Sequence, residues 1–253
     1  MKKALLFCLA VVFKISLFAQ DLPPIQTDRP DQTEAATITP VGYIQLESGL
    51  NYEQNDASTK TIVYPTLLAK YGVNERFEWR LIFNYNSVET GGVKTAGVLP
   101  LTAGFKVALW EQHGIIPKAS FIGHMTAPFI ASKGFRNKYY STDFRFTLSN
   151  QVTDNLSIGY NLGAGWDGLS GEPEFIYTVA AGYSFSEKWG AYIEAYGFAP
   201  QNRISDHRAD GGFIFIPHPN FQIDLSGGLG ISKNSNDYYY VSLGLSYRFK
   251  CKK

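Results

Sequence analysis

"RFEWRLIFNY", residues 76–85, alternates. Phe77, Trp79, Leu81, Phe83 and Tyr85 are apolar, and Arg76, Glu78, Arg80 and Asn84 between them are polar or charged. A period of two is the mark of a β-strand, because successive side chains point to opposite faces. Five large apolar groups on one face and ionised groups on the other raise the question of which solvent meets each side.

The same alternation recurs along the chain. In "GYIQLESGLNYE", Ile44, Leu46, Leu50 and Tyr52 oppose Gln45, Glu47, Gly49 and Asn51. In "TIVYPTLLAKY", Val63, Pro65, Leu67, Ala69 and Tyr71 oppose Tyr64, Thr66 and Lys70. "TAGFKVALW", "IPKASFIGHM", "TDFRFTLSN", "LSIGYNLGAGW", "FIYTVAAGYSF", "WGAYIEAYG", "RADGGFIFI", "FQIDLSGGL" and "YYVSLGLSYRF" continue the series to twelve segments. Their apolar faces contain no Asp, Glu, Lys or Arg. The polar faces hold Glu47, Lys70, Glu78, Arg80, Lys106, His124, Arg145, Glu194, Asp210, Asp224 and Arg248. A water-soluble sandwich would have to fill one core with all these aromatics, and it gives no reason for so many polar-face glycines. In an outer-membrane barrel the aromatics meet lipid and the charges line the lumen. Closure also pairs every strand backbone group, as hydrocarbon requires. The expected fold is therefore all-β: a closed antiparallel transmembrane barrel of twelve strands spanning 42–249.

Connection lengths support this independently. "GVNE", "EQHG", "TDN", "SEK" and "PHPN" are short and alternate with longer links at 86–98, 127–140, 167–173, 199–206 and 232–237. Transmembrane barrels place short turns on the periplasmic side and longer loops outside. Tyr71, Trp110, Tyr183, Trp189 and Tyr247 sit beside the short turns, where an aromatic girdle belongs.

The ends of the chain fit export. Residues 1–20, "MKKALLFCLAVVFKISLFAQ", read as a signal peptide, with Lys2 and Lys3 before an apolar run and Ala19 for cleavage. After residue 20 no apolar run approaches the ~18–20 residues that a spanning helix needs. Removing Lys2, Lys3 and Lys14 from the 23 basic residues leaves 20 against 22 acidic ones, a balance of −2 that calls for no nucleic acid. Of the 2 cysteines only Cys251 then remains, so no internal disulfide is expected. Residues 250–253 form a short basic tail. With 16 Tyr, 18 Phe and 24 Gly, the composition is that of a turn-rich β protein.

Ahead of the first strand lies "QTDRPDQTEAATITPVGYIQLESGLNY". It resembles the opening of a family of bacterial outer-membrane β-barrel proteins labelled transporters of the meta-pathway of phenol degradation, which read "TDRPD.TE" and then "QLE.G..Y". "LLAKYGVNERFEWRL" resembles their "RYG…FE.R" strand-turn-strand, with Lys70 in place of the usual Arg. "LTAGFKVAL", "LGAGW" and "IDLSGG" also resemble family segments. The resemblance covers most of the mature chain. It implies a barrel of about twelve strands in the outer membrane of a Gram-negative cell and a role in uptake of small, aromatic or hydrophobic, solutes. The last strand, "VSLGLSYRF", resembles the terminal signal read by barrel-insertion machinery, although four residues follow it. Expected partners are thus outer-membrane lipids and lipopolysaccharide, the insertion machinery and a small solute.

Two groups of residues are candidates for function. Asp28, Arg29, Asp31 and Glu34 lie in 21–41, too polar and Pro-rich for a strand. This segment is either a solvated periplasmic leader or a plug in the lumen, with Arg29 paired to an inward carboxylate such as Glu47 or Glu78. The lumen charges are either a space-filling network of pairs or a lining that orients a permeant solute, with Tyr64, Tyr192 and Tyr196 beside them. Loop 127–140 is aromatic and basic, fit to touch lipopolysaccharide phosphates or to fold inward. Enzyme readings are poor. The histidines show no metal spacing, no cofactor is expected, and "GLSGE" at 168–172 lacks the strand-to-helix context of a nucleophile elbow. Ser120 and His124 share a face, which leaves a membrane hydrolase as the remotest reading; a sealed structural barrel is the nearer alternative to a channel.

Overall fold

A computed structural model describes residues 22–235 and 237–251. The expected signal peptide lies outside the described residues. Thirteen strands follow in order: β1 (Tyr43–Gln54), β2 (Thr59–Asn74), β3 (Phe77–Thr90), β4 (Val93–Val98), β5 (Leu101–Trp110), β6 (Lys118–Ala127) and β7 (Ser141–Gln151). Then come β8 (Leu156–Trp166), β9 (Glu174–Ser184), β10 (Trp189–Pro200), β11 (Asp206–His218), β12 (Phe221–Gly230) and β13 (Tyr239–Lys250). Each pairs antiparallel with its neighbour, and β1 pairs with β13 from Tyr43↔Lys250 to Gln54↔Tyr239. That last ladder closes the sheet. β4 and β5 occupy one position in the wall, β4 against the upper part of β3 and β5 against the lower. The barrel therefore has twelve staves, as expected.

Both ends of the barrel wall, Tyr43 and Lys250, lie at one end of the cylinder, here called the base; the opposite end is the rim. The short turns are at the base. One expected loop is strand: 86–98 is the extension of β3 and the whole of β4, turned by Gly91 and Gly92, both at positive φ. A two-residue Gly-Gly turn of that kind suits a tight hairpin. Loop 128–140 packs on β4 at the rim, with Ser132 and Phe135 against Gly97, the cross-strand partner of the lumen-facing Asn86. It runs along the free edge of β4, where Ser132 N donates to Val98 O and Ser132 Oγ accepts from Val98 N.

The faces are assigned as in the outer-membrane arrangement. Trp79 is 55% exposed and Ile193 71%, on the outside, while Glu78 and Lys106 on the inside are 0% exposed. Phe77, Phe105, Phe121 and Phe146 touch in sequence around the outer wall. Tyr71, Trp110, Tyr183, Trp189 and Tyr247 are all exposed beside the base turns. The parity fails within β2. Between Val63 and Thr66 the register of β2 shifts against β3, at Tyr64–Pro65. Proline has no N–H to give the ladder, and such a bulge reverses the in-out sense. Thr61 and Val63 are buried inside, and Tyr64 is exposed, its ring against Tyr85. The expectation that Tyr64 faces a solute is thereby corrected.

The outer face offers a direct check. Ile193 stands mid-strand on β10, opposite Ala181 and Gly211. Ile193→Arg should destabilise the barrel in lipid by about 2–4 kcal/mol, the cost of a cation at the bilayer midplane. Leu169→Arg, in the exposed link between β8 and β9, should change little. Urea unfolding in lipid vesicles reads both.

Candidate functional site

The lumen is not empty. Residues 22–41 enter at the base, cross it near mid-height and return. The inbound leg is fixed by Ile25 N to Pro219 O and by Arg248, whose Nη2 donates to Pro23 O. The outbound leg is fixed by Thr39 N, which donates to Glu78 Oε2 at 2.7 Å, and by the Val41↔Gly72 bridge.

Asp28 anchors the inbound leg. Its Oδ2 accepts from Lys70 Nζ at 2.9 Å and Arg80 Nη1 at 2.8 Å, and its Oδ1 from Lys106 Nζ at 2.9 Å and Ala35 N at 2.9 Å. Its own amide donates to Glu47 Oε2. Burial alone would raise this carboxyl, but Lys106, Lys70 and Arg80 outweigh it and hold it well below the usual carboxylate range. The three cations come from β2, β3 and β5, three adjacent staves whose inward positions the alternation fixes.

Arg29 points the other way. It pairs with Asp224 at 3.0 Å and donates to Ser242 Oγ, not with Glu47 or Glu78 as the sequence suggested. Gly49 and Gly244 make this possible, since a Cβ at either would collide with the guanidinium. Glu47 is taken by the Asp28 amide, Gln45 and Lys70, and Glu78 by Thr39 N and Arg80.

The apex, 31–34, reaches the far wall. Gln32 N and Thr33 Oγ1 both donate to Glu194, and Thr33 also meets Thr178. Glu34 pairs with Arg80 at 2.6 Å, its N donates to Asn161 Oδ1 and its O accepts from Asn161 Nδ2. Burial, reinforced by Glu194 and Asp210, pushes the Asp31 carboxyl well above its ordinary value. Asp210 accepts from Tyr240 OH at 2.6 Å. Arg145 is held more loosely than the other inner cations: among the described residues its one hydrogen bond runs from Nη1 to Gln32 O.

Two cavities adjoin the segment, one on each side of the apex. The base cavity, about 530 Å³, lies between the segment and the small side chains of β8–β10, with Tyr192 on its wall. The rim cavity, about 430 Å³, has residues 28–32 and Glu34 as its floor. Arg29, Asp31 and Glu34 border both. Of the eleven inward residues selected from sequence, Glu47, Arg80 and Arg145 border the rim cavity. Lys70, Glu78, Lys106, Glu194 and Asp224 are spent on the segment. His124, Asp210 and Arg248 border neither cavity.

Partners missed in the sequence are neutral: Asn161, Thr33, Thr178 and Gln45. The alternation placed the strand residues inward, but selection by charge passed over them. The hydrolase reading has no geometry behind it. Ser120 Oγ donates to Ala36 O, while His124 lies between Arg80 and Asp143. Ser170 sits in a turn, where its amide and that of Leu169 donate to Asp167 Oδ1; these bonds lower the Asp167 pKa.

The return leg makes a local prediction. A Cβ at Gly72 would run into the backbone carbonyls of Thr39 and Pro40. Gly72→Val should therefore loosen 37–41 and expose it to limited proteolysis from the base side, with the barrel intact. Unchanged protection would contradict this docking.

A family model described as "Putative MetA-pathway of phenol degradation" matches residues 27–249. No protein with a curated description matches. Among solved structures, an outer membrane channel from Pseudomonas putida F1 is 12% identical, with a TM-score of 0.71 over 87% of this chain and 99% of that one. The NanC porin (12% identical, TM-score 0.55) covers 80% of this chain and 98% of its own. The KdgM porin in complex with disordered oligogalacturonate (10%, 0.55) covers 80% and 99%. At these identities the likeness is one of fold.

Proposed function

Because this chain belongs to the family described as "Putative MetA-pathway of phenol degradation", we propose that it is an outer-membrane channel for passive uptake of a small solute. The base faces the periplasm and the rim faces outward, as in barrels with short periplasmic turns. The observation that carries this reading is the pair of cavities of about 430 and 530 Å³ inside the barrel, both bordered by Arg29, Asp31 and Glu34 of the segment. Residues 22–41 act as a plug whose apex controls passage. Arg29, Asp31, Glu34, Glu47, Arg80 and Arg145 are among the charged groups that a solute meets. Lys70, Glu78, Lys106, Glu194, Asp224 and Arg248 hold the plug. Lys133, Arg136 and Lys138, exposed on 128–140, contact lipopolysaccharide phosphates, and the outer aromatics contact lipid. The aromatic or hydrophobic character of the solute rests on the family's description alone.

The sealed-barrel reading has one observation in its favour, the continuous crossing of the lumen by 28–34. Liposome swelling separates the two. A channel should admit small neutral solutes at rates above empty liposomes, with a cut-off that rises as the plug is loosened. No swelling with any solute, for the intact chain and a plug-loosened variant alike, would leave the sealed barrel.

A further inference from the structure

The segment is held on its two sides by different means. Asp28 and Glu34 on the segment, and Glu47, Glu78 and Asp224 on the wall, each pair with a lysine or arginine. At the apex, Asp31 and the wall carboxyls Glu194 and Asp210 have no such partner among the described residues. Glu194 and Asp210 are direct cross-strand partners on β10 and β11, and both are buried. The two oxygens of Glu194 accept from Gln32 N and Thr33 Oγ1, which sets Asp31 beside it. Asp210 Oδ2 accepts from Tyr240 OH, and its Oδ1 is buried with no partner. The Asp210 and Glu194 side chains lie within hydrogen-bonding reach of each other. Two carboxyls make that bond only with a proton between them, because an ionised carboxylate has nothing to donate.

The other groups around this cluster bring it no counter-ion. Tyr192 on β10 and Tyr240 on β13 are phenols, and β8 and β9 present Asn161 and Thr178. Arg208 on β11 is paired with Asp206 and lies over the Tyr238 ring. Arg145 on β7 bonds Gln32 O, and Arg29 is turned to Asp224 on β12. Like charges in contact cannot all ionise, so protons stand where the other side of the segment has cations. Asp31 borders both cavities, which lets the cluster exchange protons with either.

The sign follows from linkage. Docked, Asp31 keeps its proton to well above the ordinary carboxylate range, through burial and its two carboxyl neighbours; withdrawn from them, it returns to that range. Its contribution to docking is therefore complete in acid and lost as pH rises through the docked value. Asp28 has the opposite sign, since its cations hold it low: its contribution fails only when pH falls through that much lower value.

We propose that Asp31, Glu194 and Asp210 form a proton-operated latch, which seats the apex and closes the lumen when protonated and releases the apex when ionised. The latch rests on the plug reading of residues 22–41 and adds what frees the apex.

Planar-bilayer recordings between about pH 5 and about pH 9 test it. The ratio of open to closed time should climb with pH, by up to about tenfold per pH unit for each carboxyl that titrates. Asp31→Asn, uncharged at every pH, should hold the closed state and flatten the profile. Asp31→Ser cannot ionise either and should do the same, while heat-modifiable mobility on gels reports that each variant is folded. The chain shortened by residues 22–40 should stay open throughout. A flat parent profile, closure as pH rises, or an unaltered profile in both Asp31 variants would overturn the latch and spare the plug, provided that the shortened chain conducts more than the parent. A shortened chain that conducts no more than the parent removes the plug, and the latch with it.

Discussion

Removing residues 22–40 should raise single-channel conductance several-fold. The segment crosses the lumen from Arg29 on the β12–β13 side to Thr33 on the β9–β10 side, and its residues 29, 31 and 34 border both cavities. Its loss does not leave bare charges in a dry core. Lys70, Arg80 and Lys106 would face Glu47 and Glu78 in a water-filled tube, where the Born cost of burial disappears. The barrel should therefore persist, since its ladders are closed by β1 and β13 without help from the segment. Planar-bilayer recordings read the effect directly. An unchanged unitary current in the shortened chain would remove the plug from consideration.

Asp28→Asn should release the same segment without shortening it. This carboxylate is the shared counter-ion of Lys70, Lys106 and Arg80, all three almost wholly buried. An amide has similar shape but no charge, and it leaves three cations crowded around a neutral group. Breaking a buried ion pair by removing one partner costs about 3–5 kcal/mol. Every 1.4 kcal/mol is a factor of ten, so the ratio of docked to undocked segment should fall by two to four orders of magnitude. Long openings should appear in recordings, and the segment should become a protease substrate. Arg29→Gln should do less. Arg29 meets one carboxylate, and its side chain is 16% exposed. If the Asn variant gates like the parent, the anchor has been misassigned.

The barrel was legible because two solvents imposed a strict two-residue period on nearly every strand. Trp79 outside and Glu78 inside follow from that pattern and nothing more. What escaped it was of two kinds. Local exceptions hid where alternation is interrupted: Tyr64–Pro65 reverses parity within one strand, and 86–98 concealed a hairpin behind Gly91–Gly92. Partner choice was hidden for a different reason. Arg29 lies far from Asp224 in sequence, and their meeting depends on β1 closing against β13, which brings Gly49, Gly244 and Asp224 to one place. No periodicity reports that. The choice among inward carboxylates was therefore open, and the nearer candidates in sequence were the wrong ones.

Spin labels on β10 in lipid vesicles test the inversion most directly. Labels at 191, 193 and 195 should be reached by oxygen, which partitions into acyl chains, and shielded from a water-soluble nickel complex. Labels at 190, 192 and 194 should show no such oxygen excess. High nickel accessibility at 193, or the opposite phase along the strand, would mean that the apolar rows do not face lipid.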